Sequence, residues 1–340
     1  MITEAFIISD LHLTESPYDE YKWAVFEWAR YEITTRELDK LFILGDLFDK
    51  KDRHGSELIN RLVKEINKCA KLVPVTILKG NHDYLKPEHP YLELLDTIQN
   101  VLFIKEPMYI EDMDSWWLPH AKDPEEEWKD IDLVNCNLIF MHQSVLGSVV
   151  SNYHEMKSGL SPSFFKGTKA KIFSGDIHVP QNIKIPGAVP LTYIGTPYPV
   201  AFGDTYTPRG IILNLDDLNF TVLTMEVLQK LSITINEPEQ LTEYEMYEGD
   251  QVKITVELEA SELSNWSEYK EEIKTLCKEN NLILRDLKMK KKETLNRMQK
   301  AAGKTSNKFT KMSPIDVLKK FSEIEKLDKD IEKEGLELLK

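Results

Sequence analysis

The sequence predicts an α/β protein with a strand-rich second half and a small α+β appendage. In the first third, apolar runs of strand length alternate with amphipathic stretches of helical period. From about residue 101 to 225, short strand patterns follow one another. A shorter strand, helix and strand come next.

Taken in order, EAFIISD at 4–10 is the first strand, and a helix follows near 20 to 35. KLFILGD at 40–46 is the second strand, a helix lies near 55 to 70, and VPVTILKGNHD at 73–83 holds the third strand. A further helix is expected near 91 to 98. The strand-rich half contains CNLIFMH (136–142), AKIFSGDIH (170–178), PLTYIG (190–195), GIILNL (210–215) and FTVLTM (220–225). In the appendage, QVKITVEL (251–258) and LILRDLKM (282–289) are strands, with a helix over 263 to 279 between them.

Residues 288–311 carry nine Lys or Arg against one Glu and read as a basic linker. Beyond it, Ser313 can cap a helix, Pro314 suits the first helical position and Asp316 completes a capping-box spacing. Ile315, Leu318, Phe321, Ile324, Leu327 and Ile331 then form a narrow apolar stripe suited to a groove on a partner or on its own domain. The division expected is 1–225 catalytic, 226–287 α+β, 288–312 linker and 313–340 terminal helix.

With 41% hydrophobic and 29% charged residues, the chain falls in neither the disordered nor the membrane class. Three scattered cysteines, Cys69, Cys136 and Cys277, with no CxxC pair, point to a reducing compartment. No signal-peptide pattern and no apolar run near membrane-spanning length is present, so the expectation is a cytoplasmic protein. A net charge of −14 disfavours general phosphate affinity, and the basic stretch is the one long exception.

Five polar clusters end apolar runs: Asp10-Leu11-His12, Gly45-Asp46, Gly80-Asn81-His82-Asp83, Met141-His142 and Gly175-Asp176-Ile177-His178. In open α/β sheets ligands gather beyond the carboxyl ends of strands. A single DxH or GD is weak, but all five in this order indicate a metal-dependent hydrolase. Two divalent ions about 3.5 to 4 Å apart can activate a water and clamp the oxygens of an in-line phosphoryl displacement. A carboxylate has to bridge them, and Asp46 is the natural candidate because the glycine before it lets the backbone approach closely. Carboxylate, imidazole and amide ligands together suit Mn, Fe or Zn better than Mg or Ca, with Mn the first choice and Mg an alternative. In an extended segment, Asp176 and His178 leave one face and would point at one spot.

The order DxH, GD, GNHD, H, GxH resembles that of the calcineurin-like metallophosphoesterases, whose fold is a central β-sandwich flanked by helices. More narrowly, GDLFDKK (45–51), GDIHVPQ (175–181) and YIGTPYPVAFGD (193–204) resemble the SbcD nucleases, relatives of the "meiotic recombination eleven" repair nuclease. The lysine-rich tether and terminal helix are similar to that layout, and the compact C-terminal part resembles a bacteriophage version.

That resemblance implies a DNA nuclease subunit acting on double-stranded DNA ends in repair, recombination or replication. It implies two partners: an SMC-like ATPase of the SbcC type, and a second copy paired through the helices near 55 to 70 and 91 to 98. It places Asp10, His12, Asp46 and His178 around one metal and Asp46, Asn81, His142 and Asp176 around the other. His82 would face the scissile phosphate, oriented by Asp83, and Asp49 would lie near the substrate strand. The family usually reads Gly-His-x-His where this chain has Gly-Asp-Ile-His, which bears on metal preference. A free-standing phosphatase or small phosphodiesterase is the alternative on the same fold.

Overall fold

A computed structural model of the chain describes residues 3–150 and 154–292. The first sheet is laid down by β1 (Glu4–Ile8), β2 (Lys40–Ile43) and β3 (Val75–Leu78), parallel to one another. Helix α1 (Ala24–Arg36) follows a 3-10 turn at Pro17–Trp23 and connects β1 to β2, while α2 (Ser56–Ala70) connects β2 to β3. A small hairpin, β4 (Tyr84–Lys86) and β5 (His89–Pro90), comes before β6 (Val101–Ile104), which pairs parallel with β3.

The second sheet begins with β7 (Met108–Ile110) and β8 (Ser115–Leu118). After the short α3 (Pro124–Glu127) come β9 (Leu138–His142), the small pair β10 (Val149–Val150) and β11 (His154–Glu155), and β12 (Lys171–Gly175). Strands β13 (Gln181–Ile183) and β14 (Leu191–Tyr193) complete it in the order β13-β14-β12-β9-β8-β7. The chain then returns to the first sheet through β15 (Gly210–Asn214) and β16 (Phe220–Leu223), giving the order β16-β15-β1-β2-β3-β6.

The two sheets face each other across one apolar layer. Ala5, Ile7, Phe42 and Ile211 of the first sheet share a core with Trp117, Leu138, Phe140 and Phe173 of the second. The alternate residues of β1, Phe6 and Ile8, instead join a core with Phe26 and Ile33 of α1 and Leu62 and Ile66 of α2. A strand buried on both faces reads as a continuous apolar run, which is why EAFII lacks polar alternation. The outer face of the second sheet packs a third core around Ile139, Met141 and Ile172. The architecture is thus a β-sandwich flanked by helices.

Strands β17 (Lys230–Ile235), β18 (Gln251–Leu258) and β19 (Ile283–Lys291) form a third sheet in the order β17-β18-β19. Helix α4 (Trp266–Glu279) precedes β19. The chain divides into two compact units. The first takes in the described residues up to Ile233, with Glu245–Lys253 and Leu276–Asp286; the second takes in Thr234–Tyr244, Ile254–Thr275 and the described residues from Leu287. The second unit has its own buried apolar side chains, including Ile235, Leu241, Ile254 and Ile273.

Three local expectations are corrected. The helix expected near 91 to 98 is a 3-10 turn, Glu93–Thr97, because the apolar residues there cover only about one turn before Asn100 adopts a left-handed φ of 64°. The helix expected over 263 to 279 begins as a 3-10 segment, Ala260–Asn265, opened by a Glu259–Glu262 capping box, and becomes α-helical only at Trp266. Strand β19 runs on to Lys291, past the expected start of the basic linker. The rest of that linker and the terminal helix at 313–340 lie outside the described residues. No helix among the described residues is long and apolar enough to cross a membrane.

Candidate metal centre

The polar clusters converge because each lies where a strand gives out. Asp10 and His12 follow β1, Asp46 follows β2, Asn81, His82 and Asp83 follow β3, His142 is the last residue of β9, and Asp176 and His178 follow β12. Parallel pairing of β1, β2 and β3, and of β9 with β12, sends these ends to the same edge of the sandwich. Four of the side chains sit on backbone in the left-handed region: Asp10 (φ 56°), His12 (42°), Asp46 (54°) and Asp176 (82°). This conformation costs about 1 kcal/mol per residue and is concentrated where function dictates geometry. Gly45, at φ 91°, lies where a Cβ would collide with the His142 ring and with Gly80, so the glycine permits the convergence.

Asp46 stands in the middle. Its Oδ2 is 3.7 Å from His12 Nε2, its Oδ1 is 3.4 Å from His142 Nε2, and Oδ1 also accepts the His82 amide at 2.8 Å. On one side, Asp10, His12 and His178 bring ligand atoms within 4.8 Å of one another, and the Nε2 atoms of His12 and His178 face each other at 2.9 Å. On the other, Asp176 Oδ1 is 3.8 Å from His142 Nε2. Asp10 also groups with Asp46 and His142, and His82 with His12 and Asp46.

The donor set fits divalent cations. Asp10 Oδ2, His12 Nδ1, Asn81 Oδ1 and His142 Nε2 are buried without any hydrogen-bond partner. Buried polar atoms are normally satisfied, and a cation held among these residues would satisfy such orphans. His142 is prepared for this: its Nδ1 donates to the Leu44 carbonyl at 2.6 Å, leaving Nε2 as the ligand nitrogen. Burial raises Asp10 up to about 8, with Asp46 and Asp176 adding to the rise against His142. Burial would also raise Asp46, but the imidazoles of His142, His12 and His82 hold it below the usual carboxylate range. Burial alone would lower His142, yet Asp46, Asp10 and Asp176 drive it well above the ordinary imidazole range. His12 and His178, by contrast, are lowered by burial and stay neutral. Crowded carboxylates around one histidine are an arrangement that added positive charge relieves.

Two sequence expectations change. Asp176 and His178 do not share one extended face: β12 ends at Gly175, Asp176 bends into positive φ, and the two side chains go to opposite sides of Asp46. Asp83 does not orient the His82 ring. Its fully buried carboxylate accepts from the backbone amides of Asp46 (3.0 Å), Leu47 (2.9 Å) and Gly80 (2.8 Å), pinning two strand-end loops together. Loop amides are the nearer donors, and burial makes their pairing obligatory. The His82 ring is instead held by its Nδ1, 2.5 Å from the Asp49 carbonyl oxygen. The Asp49 carboxylate is 3.9 Å from His12 Nδ1 and about half exposed.

The structure also adds supporting residues to which the sequence assigned no role. Lys22 is buried, and its Nζ donates to the His12 carbonyl at 2.7 Å. The Tyr198 hydroxyl donates to the Leu11 carbonyl, so the tyrosine of GTPYP supports the same loop. His120 meets His142 at a ring separation of 6.3 Å while its Nδ1 bonds the Tyr84 hydroxyl at 2.7 Å, and burial lowers it to about 3. A Trp-rich approach in SWWLPH was the only hint for His120; Lys22 had none.

Residues 5–180 match the family model of the calcineurin-like phosphoesterases. Among solved structures, the chain is similar to a Pseudomonas putida nuclease MPE at 14% identity, covering 64% of this chain and 87% of that one with a TM-score of 0.33. It is also similar to a dimetal phosphatase from Danio rerio at 10% identity, covering 66% and 99% with a TM-score of 0.38. A search of curated proteins finds no match. With more than half of its length under the family model and the orphaned ligand atoms gathered at the strand ends, this chain belongs to the calcineurin-like phosphoesterase family.

Proposed function

We propose that this metal-dependent phosphoester hydrolase is a DNA nuclease, the SbcD-like subunit of a complex with an SMC-like ATPase. The observation that carries the nuclease reading is the loop just past Asp49, whose carbonyl holds the His82 ring: Lys50, Lys51 and Arg53 are exposed there, interleaved with Asp52, which lies 3.8 Å from Arg53 Nε. A phosphomonoester needs no such track, whereas a polynucleotide has flanking phosphates to hold. The quoted GDLFDKK, GDIHVPQ and YIGTPYPVAFGD stretches support the same reading.

In this proposal Asp10, His12, Asp46 and His178 hold one cation, and Asp46, Asn81, His142 and Asp176 hold the other, with Mn preferred. The cations, when bound, supply the Lewis acidity for phosphoester hydrolysis. The chain's own contribution is orientation. Asp46 offers one oxygen to each side, and Asp83 fixes the loops that carry Asp46 and Gly80. His82, with Nδ1 committed to Asp49, presents Nε2 to the phosphate and to the departing oxygen.

Linear duplex DNA and p-nitrophenyl phosphate are the deciding substrates, each with Mn and with or without a coiled-coil ATPase partner. Cleavage of DNA, stimulated by the partner, is expected. Turnover of the monoester with intact DNA in every mixture would establish a free-standing phosphatase instead.

A further inference from the structure

Another strand end meets the metal centre without supplying a ligand to it. His120 follows β8, which pairs parallel with β9 in the register Leu118 against Met141, so His120 arrives beside His142 at the edge where the ligand residues gather. The segment is fixed on both flanks. The His120 amide donates to the Lys79 carbonyl at 2.9 Å, and the Ala121 amide donates to the buried Gln143 side chain at 3.3 Å. A side chain carried by a segment anchored in this way is positioned before any ligand arrives.

The ring is oriented as well. Tyr84 is buried, and its hydroxyl has one partner, His120 Nδ1, at 2.7 Å. A buried hydroxyl proton needs an acceptor, so the phenol donates to Nδ1 and the imidazole carries its hydrogen on Nε2. Nε2 bonds no other group among the described residues and is not buried, so a hydrogen-bond donor is left open to solvent beside the cluster. The surroundings suit an anion. The ring lies 6.3 Å from that of His142, and Lys51 and Lys79 bear on it with positive charge, opposed by Asp46. Lys79 is buried and also faces Glu88, Glu106 and Glu127, whereas Lys51 is exposed on the loop past Asp49. His82 has the corresponding place on the other side: its ring meets that of His12 at 4.9 Å, and His12 and His142 face different oxygens of Asp46.

We propose that His120 is a substrate-contacting residue, its Nε2–H donating to a non-bridging phosphate oxygen from the side away from His82, with Tyr84 as the positioning residue that fixes its tautomer. This rests on the phosphoester hydrolase reading above and holds for a DNA strand and a monoester alike. A donor aimed at an oxygen on which charge develops is one that strengthens toward the transition state.

Inorganic phosphate is the probe, titrated by calorimetry into the Mn-loaded protein. His120→Ala should keep its full metal content by elemental analysis and bind phosphate about ten-fold more weakly or worse, the scale of one hydrogen bond to a charged group. His120→Gln, whose amide nitrogen can take the place of Nε2, should recover most of that affinity, whereas His120→Asn, whose amide matches Nδ1, should not. Tyr84→Phe removes the proton donor with little change of volume and should fall between the unmodified protein and His120→Ala. Unchanged phosphate affinity in His120→Ala, loss of metal from that variant, or equal affinity in the glutamine and asparagine variants would overturn the contact. The last comparison decides the matter if the alanine variant does not fold. If the loaded protein hydrolyses neither duplex DNA nor p-nitrophenyl phosphate, the hydrolase reading fails, and the titration still decides His120, with no phosphate binding by the unmodified protein overturning it.

Discussion

Asp176 is the residue at which this chain departs from the Gly-His-x-His pattern, and the structure makes the substitution intelligible. At φ 82° an aspartate is among the better tolerated non-glycine residues, and its carboxylate lies 3.8 Å from His142 Nε2, which has Asp46 Oδ1 at 3.4 Å on its other flank. Oxygen in place of nitrogen favours harder cations. Asp176→Ala is therefore expected to lose one metal equivalent and nearly all activity, whereas Asp176→His should keep two equivalents and shift preference from Mn toward Zn. Elemental analysis of the purified variants checks this, and a full metal complement in Asp176→Ala would refute it. Protonation gives a second prediction at this scale. In the metal-free protein Asp10 is raised to about 8 and His142 also lies high, so both must surrender protons when a cation enters. Metal affinity should accordingly climb between about pH 6 and pH 8, with protons released on loading. The sign reverses for the metal-free fold. A carboxyl raised on folding contributes stability that is lost as pH rises toward about 8. Calorimetry in two buffers of different ionisation enthalpy reads the proton count, and an affinity flat across that window would contradict the assignment.

Among the elements, the 3-10 turn Pro17–Trp23 does more than lead into α1. Its Ser16 cap and Pro17 start are ordinary, but it delivers Lys22 into the interior beneath the loop that carries His12. Asp19 lies 3.9 Å from Lys22 Nζ and 3.1 Å from Lys230 Nζ and also accepts from Thr14 Oγ1, so the buried ammonium has a counter-charge. Burial lowers Lys22 to about 8, with Asp19 opposing that shift. Lys22→Met retains most of the volume but leaves the His12 carbonyl without its donor. A loss of about 1–3 kcal/mol is expected in denaturant unfolding, because an unsatisfied buried acceptor costs that much. Unchanged stability with unchanged metal content would show that the bond is dispensable.

For the whole molecule, the α2 face offers a test of self-association. Leu58, Leu62 and Ile66 are committed to the core, while Ile59 and Val63 are only partly covered and Leu94 is 37% exposed in the neighbouring turn. A homodimer through this surface is the proposal, although the 91–98 segment contributes a turn and not a second helix. Light scattering at micromolar concentrations should give a dimer for the unmodified protein and a monomer for Val63→Glu. A dimer unaffected by Val63→Glu would place the contact elsewhere.

The sequence by itself determined the strands, because β1, β2, β3, β9 and β12 are buried on both faces and so read as mainly apolar runs without strict polar alternation. It also determined which metal-binding residue types follow those runs, since the strand ends and the polar clusters are adjacent in the chain. Tertiary structure alone decided how those residues divide space. Asp176 and His178 are two apart in sequence, yet a positive φ at Asp176 sends them to opposite sides of Asp46, and backbone hand is not legible in residue spacing. Asp83 follows His82, yet it serves loop amides brought from 36 and 37 residues away. Lys22, Tyr198 and His120 come to the centre through long-range packing, so their contacts there are not encoded locally even where a quoted stretch contains the residue. Local propensity acts over neighbours, whereas the burial that orphans a ligand atom or satisfies a carboxylate is a property of the assembled sandwich.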